Sequence, residues 1–412
     1  MKSTILNRAI LITFLFTVLS GALRKWVFSS GAVSNVILLL QLIVPFAFFL
    51  LLPKKKWQLD LLLILAGYIF LLILLAFNPM NKTLYHGFLG IILHTGFWLA
   101  LFNYLNVKKE LSLPKNLNLL ILFCFAQIGL ALVQYNLPAE HFLNKYAVEN
   151  AYIAEVGEAV RVTGSFSYIS GYNAFLIFLG LFIWTLVLRA QYRLVGFLFL
   201  FIFPIATLIS GSRASFFLSG LISLFIIYEL FKYSSQNLII ATFLGMIIFT
   251  GNVGGVKDLL FDSANNLLSR IEENTTDGEQ RTRVIGPIQE VVDFRGEFPI
   301  FGIGLGATYQ GAVSLFGQST YLINYGGYEE EPERIVLEGG FVLFFFRIFM
   351  VIFVLTKLDI PIIYSLPLFG IILIYFPFVF NTYNTYFFLI GLIFVDMAYQ
   401  DRVRQKASPH IA

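Results

Sequence analysis

Residues 168–188 read YISGYNAFLIFLGLFIWTLVL, twenty-one positions without a charge, with Arg161 before them and Arg189 directly after. About 20 apolar residues in a helix cross the hydrocarbon core of a bilayer, so this stretch predicts a membrane span. Working outward, apolar runs bounded by charges recur near 9–23, 32–52, 59–77, 84–105, 117–135, 194–210, 214–231, 237–251, 335–356, 361–380 and 385–400. The expected fold is an all-α polytopic integral membrane protein with about twelve transmembrane helices and two long extracytoplasmic loops.

Composition agrees. The 412 residues are 58% hydrophobic, 17% aromatic and 13% charged, with mean hydropathy +0.80. A soluble chain carries about 25% charged residues, so a soluble enzyme is excluded. Gly 32 and Pro 13 are ordinary, and the single Cys124 lies inside an apolar run and has no partner for a disulfide. Lys2 and Arg8 ahead of an apolar stretch imitate a secretory signal; with so many spans behind it, this segment is read as a retained first helix.

The chain then divides into spans one to five (1–136), a first long extracytoplasmic loop (137–167), spans six to nine (168–252), a large extracytoplasmic loop (253–334), spans ten to twelve (335–400) and a cytoplasmic tail (401–412). Positive-inside counting sets the direction. With the N-terminus cytoplasmic, the inner segments hold fifteen basic residues, against four in the short outer loops, Arg24, Lys25, Lys82 and Arg213. Both termini are expected in the cytoplasm. The net charge of +4 conceals a separation: the two long loops together carry −9 and the remainder +13. Basicity here orients helices and predicts no nucleic-acid partner. No internal repeat is visible.

Few residues suit cofactor or metal chemistry. Gly302-Ile303-Gly304-Leu305-Gly306 has the look of a phosphate-cradling loop, but it lacks both the six-residue glycine spacing and a following Gly-Lys-Ser/Thr. His86, His94, His141 and His410 are scattered without ligand spacing. No metal and no cofactor are expected. His94, inside a span, is expected to hydrogen-bond a neighbouring helix.

The outer arginines are more informative. Ser210-Gly211-Ser212-Arg213 lies where span seven ends outside and span eight begins, so Ser212 can cap a helix whose free amides point outward beside a guanidinium. That makes an anion site; the competing reading is an arginine that snorkels to lipid phosphates. Arg161, just before span six, supplies a second cation on the same side. Arg281 and Arg283 precede Val284, Ile285, Ile288, Val291 and Val292 at helical spacing, which predicts an amphipathic piece, either on the leaflet or closing over the bundle. Tyr328-Glu329-Glu330-Glu331-Pro332-Glu333-Arg334 runs into Leu337-Glu338-Gly339-Gly340 at the start of span ten. There Glu331, Arg334 and Glu338 share a helix face, and Arg334 is the expected partner of Glu338. This is either an intrahelical ion pair or a carboxylate tuned beside an anion site. Arg347, on the opposite face, needs another partner.

Four stretches in this order resemble the bacterial O-antigen polymerase and O-antigen ligase superfamily of membrane glycosyltransferases. They are Arg161-Val162-Thr163-Gly164-Ser165-Phe166, Ser210-Gly211-Ser212-Arg213-Ala214-Ser215, Arg283 upstream of Pro299-Ile300-Phe301-Gly302-Ile303-Gly304-Leu305-Gly306, and Glu331 through Gly340. All lie within residues 161–340, and the layout of spans and loops agrees. The resemblance implies a multi-pass enzyme of the bacterial cytoplasmic membrane, acting at its outer face on polyprenyl-diphosphate-linked oligosaccharide and polymerising repeat units into O-antigen, capsule or exopolysaccharide. An acceptor hydroxyl attacks the anomeric carbon while the lipid diphosphate leaves, with arginines in place of a metal. Membrane lipid, a flippase and chain-length regulators are the implied partners.

On this reading Arg161 and Arg213 bind the diphosphate, Arg283 or Arg334 completes the clamp, Arg281, Ser212 and Tyr328 contribute to substrate binding, and Glu338 or Glu331 is the general base or orients the acceptor. One departure matters: ligases of the superfamily carry a histidine shortly before the Glu-Gly stretch, and residues 253–334 contain none. That favours a polymerase over ligase-like transfer to another acceptor. A lipid-linked-sugar transporter is the reading from a different class, against which stand the long loops and absent repeats; a non-catalytic envelope scaffold is the third.

Overall fold

The computed structural model describes residues 2–28, 31–81, 83–115, 117–147, 155–156, 159–233, 239, 242, 256–273, 300–309, 317, 331–376, 378 and 381–407. Among these the regular structure is helical apart from a two-residue antiparallel ladder, Glu155–Val156 with Ala159–Val160. The helices are α1 (Lys2–Ala22), α2 (Gly31–Leu51), α3 (Leu59–Ala76), α4 (Leu84–Val107), α5 (Asn118–Tyr135), α6 (Ile169–Leu188), α7 (Arg193–Leu208), α8 (Arg213–Tyr233), α9 (Val256–Glu273), α10 (Glu331–Lys357), α11 (Ile362–Tyr375) and α12 (Thr382–Ala407).

Nine helices among the described residues are long and apolar enough to cross a membrane, and they coincide with expected spans one to eight and ten. Apart from residues 239 and 242, span 237–251 lies outside the described residues. The run 361–380 folds as the shorter α11, widened by a π turn over Leu366–Gly370 that contains Pro367. The last run is the 26-residue α12, which carries Asp396, Asp401 and Arg402 in its second half. Helix α9 was not expected: it lies inside the region read as loop and packs on α7.

The chain forms two compact units: Met1–Gln41, Leu111–Thr275 and Phe387–Ala412 in the first, Leu42–Glu110 and Thr276–Tyr386 in the second. In the first unit α6 is buried on nearly every side, against α7 and α8. Its Phe178 ring meets Phe14 of α1 at 5.4 Å and Phe387 of α12 at 5.7 Å. Pairs of that geometry add roughly 0.5–1.5 kcal/mol each beyond the area they bury. The opening stretch of sequence thus forms the core of this unit.

In the second unit α3 and α4 pair as a hairpin, with α10 against α3. Tyr68 and Trp98 are interior, with Phe97 stacked on Phe378 at 4.9 Å. The outward faces of α3 and α10 expose Leu63, Phe70, Leu74, Phe345, Phe349 and Ile352, apolar surface that suits lipid and not water.

Ion pairs collect at one end of these helices: Lys55–Glu110 at 2.9 Å, Lys108–Asp359 at 2.9 Å and Lys357–Asp60 at 2.5 Å. This is the end that the charge count assigned to the inner side.

Candidate functional site

In the first unit the site begins with α1. Its last turn opens into a π turn over Leu23–Val27, closed by Phe28 N–H donating to Leu23 O at 2.7 Å. Widening the helix there turns both Arg24 and Lys25 inward, and both are buried. Arg24 donates to Ser34 Oγ (3.3 Å) and Ser167 Oγ (3.2 Å); Lys25 Nζ donates to Thr163 Oγ1 and, at 3.0 Å, to Gly164 O.

Residues 161–167, which receive these bonds, are held from the other side by α5. Gln134 Oε1 accepts from the amides of Thr163 (3.2 Å) and Gly164 (2.8 Å), and its Nε2 donates to Gly164 O (3.0 Å). Two turns earlier, Gln127 Oε1 accepts from the Ser165 amide at 3.2 Å, and its Nε2 donates to Ser165 Oγ at 2.9 Å. Buried backbone outside regular structure needs such partners for its polar groups.

Arg161 heads this segment and lies over the turn between α7 and α8: its Cγ is 3.3 Å from where a Gly211 Cβ would sit. Ser212 caps α8 as expected, its Oγ accepting from Ser215 N–H at 3.3 Å. Burial pushes the Arg161 guanidinium below its ordinary value; Tyr146 acts the other way and Arg213 adds repulsion. It remains protonated. Arg161 Nε is buried without a hydrogen-bond partner, and among the described residues no carboxylate pairs with Arg24, Lys25, Arg161 or Arg213.

In the second unit the chemistry surrounds α10. Gly340 adopts φ 65°, ψ −171°, so the helix breaks there. The first half, Glu331 to Gly339, is buried throughout. Residues 300–306 seal the break: Ile303 N–H donates to Leu337 O (2.8 Å), Gly304 N–H to Glu338 O (3.0 Å) and Val342 N–H to Ile300 O (3.4 Å). A Cβ at Gly340 would lie 1.8 Å from Ile300 O, and one at Gly306 2.1 Å from His86 O, so neither position admits a side chain.

The glycine loop does cradle an anion, and that anion is the chain's own. Glu338 is fully buried, with Gly306 N–H (2.9 Å) and His94 Nε2 (3.0 Å) donating to Oε2, and Thr308 N–H (2.9 Å) and Oγ1 (2.6 Å) donating to Oε1. Arg334, its expected partner, is not among these donors. His94 bonds another helix as expected. Glu331 Oε1 lies 2.5 Å from Arg347 Nη2, which answers the question of Arg347's partner.

The expected site residues therefore fall into two groups. The first unit brings together Arg161, Ser212 and Arg213; the second holds Glu331, Arg334 and Glu338, all buried. Arg281, Arg283, Tyr328 and the amphipathic piece after Arg283 lie outside the described residues. The sequence reading missed Gln127 and Gln134, whose seven-residue spacing puts two amides on one face of an apolar helix, and it counted Arg24 and Lys25 only as topological charges. No family model, curated protein or solved structure matches this chain.

Proposed function

We propose that the protein is a polymerase-like membrane glycosyltransferase that joins polyprenyl-diphosphate-linked oligosaccharide units at the outer face of the bacterial cytoplasmic membrane. The observation that carries the reading is the juxtaposition of Arg161 and Arg213. Two guanidinium groups held together, with no carboxylate pairing either among the described residues, are in electrostatic debt to an anion.

In the proposed reaction an acceptor hydroxyl oxygen attacks the anomeric carbon, the bond from that carbon to the diphosphate oxygen breaks, the electron pair leaves with the polyprenyl diphosphate, and the hydroxyl proton passes to a base. Charge grows on the diphosphate as the bond breaks, so cations fixed beforehand at low dielectric stabilise the transition state more than the ground state. Glu338 has every oxygen engaged and no exposed surface, so in this proposal it holds the bend of α10, and the base is left unassigned.

The test is reconstitution in lipid with a lipid-linked repeat unit from the protein's own host, without metal or nucleotide, read on a gel. A ladder growing by whole repeats supports polymerisation. Intact substrate without a ladder removes it, and glycan found on another acceptor or moved across the bilayer identifies ligation or transport.

A further inference from the structure

We infer that Arg24 and Lys25 belong to the same anion site as Arg161 and Arg213, making it a receptor built from four cations that suits a diphosphate rather than a single phosphate. The inference rests on the proposed function and deepens it. Residues 161–167 join three of them, for Arg161 begins the segment, Lys25 bonds Thr163 and Gly164, and Arg24 bonds Ser167; Arg161 in turn lies over the Gly211 turn that leads into Arg213.

The partners are what make the case. Arg24 and Lys25 are at most 5% exposed, yet each donates only to hydroxyl or carbonyl oxygens. A buried ammonium or guanidinium is ordinarily paired with an acid. Here two buried cations and the half-buried Arg161 share one segment, with the half-buried Arg213 beside Arg161, and none is paired with a carboxylate among the described residues. Neutral oxygens orient a cation without cancelling its charge, so these groups keep their capacity to attract an anion. A diphosphate carries charge on both phosphoryl groups, with oxygens enough to engage several donors. The π turn that brings Arg24 and Lys25 inward is itself a feature found often at functional sites.

The measurement is binding of farnesyl diphosphate, farnesyl monophosphate and farnesol to the full chain in nanodiscs of neutral phosphatidylcholine. Wild type should prefer the diphosphate, and Lys25→Met and Arg24→Gln should each weaken it about tenfold or more while leaving farnesol binding unchanged. Lys25→Arg should recover most of the loss. Lys25→Met should also melt no lower than wild type without ligand, because it removes a buried amine that has no acidic partner among the described residues. If that variant does not fold, Arg24→Gln, whose bonds are to two serine hydroxyls, decides the matter alone.

Diphosphate binding that Arg161→Gln weakens, but that Arg24→Gln and Lys25→Met leave within twofold of wild type, overturns the four-cation site and leaves the proposed function standing. No diphosphate binding by wild type at all would undo both. Phosphatidylglycerol in the nanodisc that displaces the farnesyl diphosphate as readily as unlabelled ligand does would assign the cluster to bulk lipid phosphate and overturn the inference.

Discussion

Arg347 places its Nη2 2.5 Å from Oε1 of Glu331, sixteen residues earlier in the same helix. Along an unbroken α-helix those positions would be about 24 Å apart, farther than the two side chains can reach. The break at Gly340 folds the first half of α10 back toward the second. Both partners are buried, and Arg347 also lies 6.0 Å from the Trp98 ring, so the pair clamps the bend inside the second unit.

Gly340→Ala is therefore expected to be among the most damaging single changes. The residue would be forced into a conformation costing about 1–3 kcal/mol for a side chain, and its Cβ would collide with Ile300 O. Thermal unfolding in detergent should show a loss of about 3 kcal/mol or more; an alanine variant melting like wild type would mean that the break is not where the structure puts it.

The clamp predicts an asymmetry. Removing one partner, as in Arg347→Met, leaves a buried charge and should cost roughly 3–5 kcal/mol, whereas Glu331→Gln with Arg347→Met together should recover most of that. A double-mutant cycle on unfolding free energy reads the coupling directly. Additive single effects would show that the two groups do not interact.

Glu338→Gln exchanges one carboxylate oxygen for an NH2 that must face donors at Gly306 and His94 or at Thr308. Its expected cost is about 1–3 kcal/mol per orphaned bond. Hydrogen exchange at the Gly306 and Thr308 amides should quicken in that variant; unchanged protection would contradict the internal cradle.

On α5, Gln134→Leu should leave the Thr163 and Gly164 amides without their acceptor. The expected outcome is a loss of about 1–3 kcal/mol, together with weaker diphosphate binding, because Arg161 sits two residues upstream on the same segment. Normal binding in a folded Gln134→Leu protein would separate the segment from the site.

Much of the architecture was legible because membrane helices are specified locally. The uncharged run at 168–188 gives α6, and Ser212 before Arg213 marks the start of α8. What was not legible depends on contacts remote in sequence. Glu338 and His94 are 244 positions apart and Lys25 and Thr163 138, and no periodicity reports such pairings. Arg334 looked like the partner of Glu338 because helical spacing was all the sequence offered; the glycine loop, reaching in from outside the helix, took its place. Likewise α9 was hidden by the charges that made its region read as loop.

The decisive measurement is the rate of polyprenyl diphosphate release per glycosidic bond formed, in lipid, for wild type, Arg161→Lys and Arg213→Lys. One diphosphate should be released per bond, and each lysine variant should slow both products together by roughly 10- to 1000-fold, since a point charge replaces a planar fork, with melting temperature unchanged. Polymer growth at the wild-type rate in both lysine variants would contradict an arginine-stabilised diphosphate leaving group.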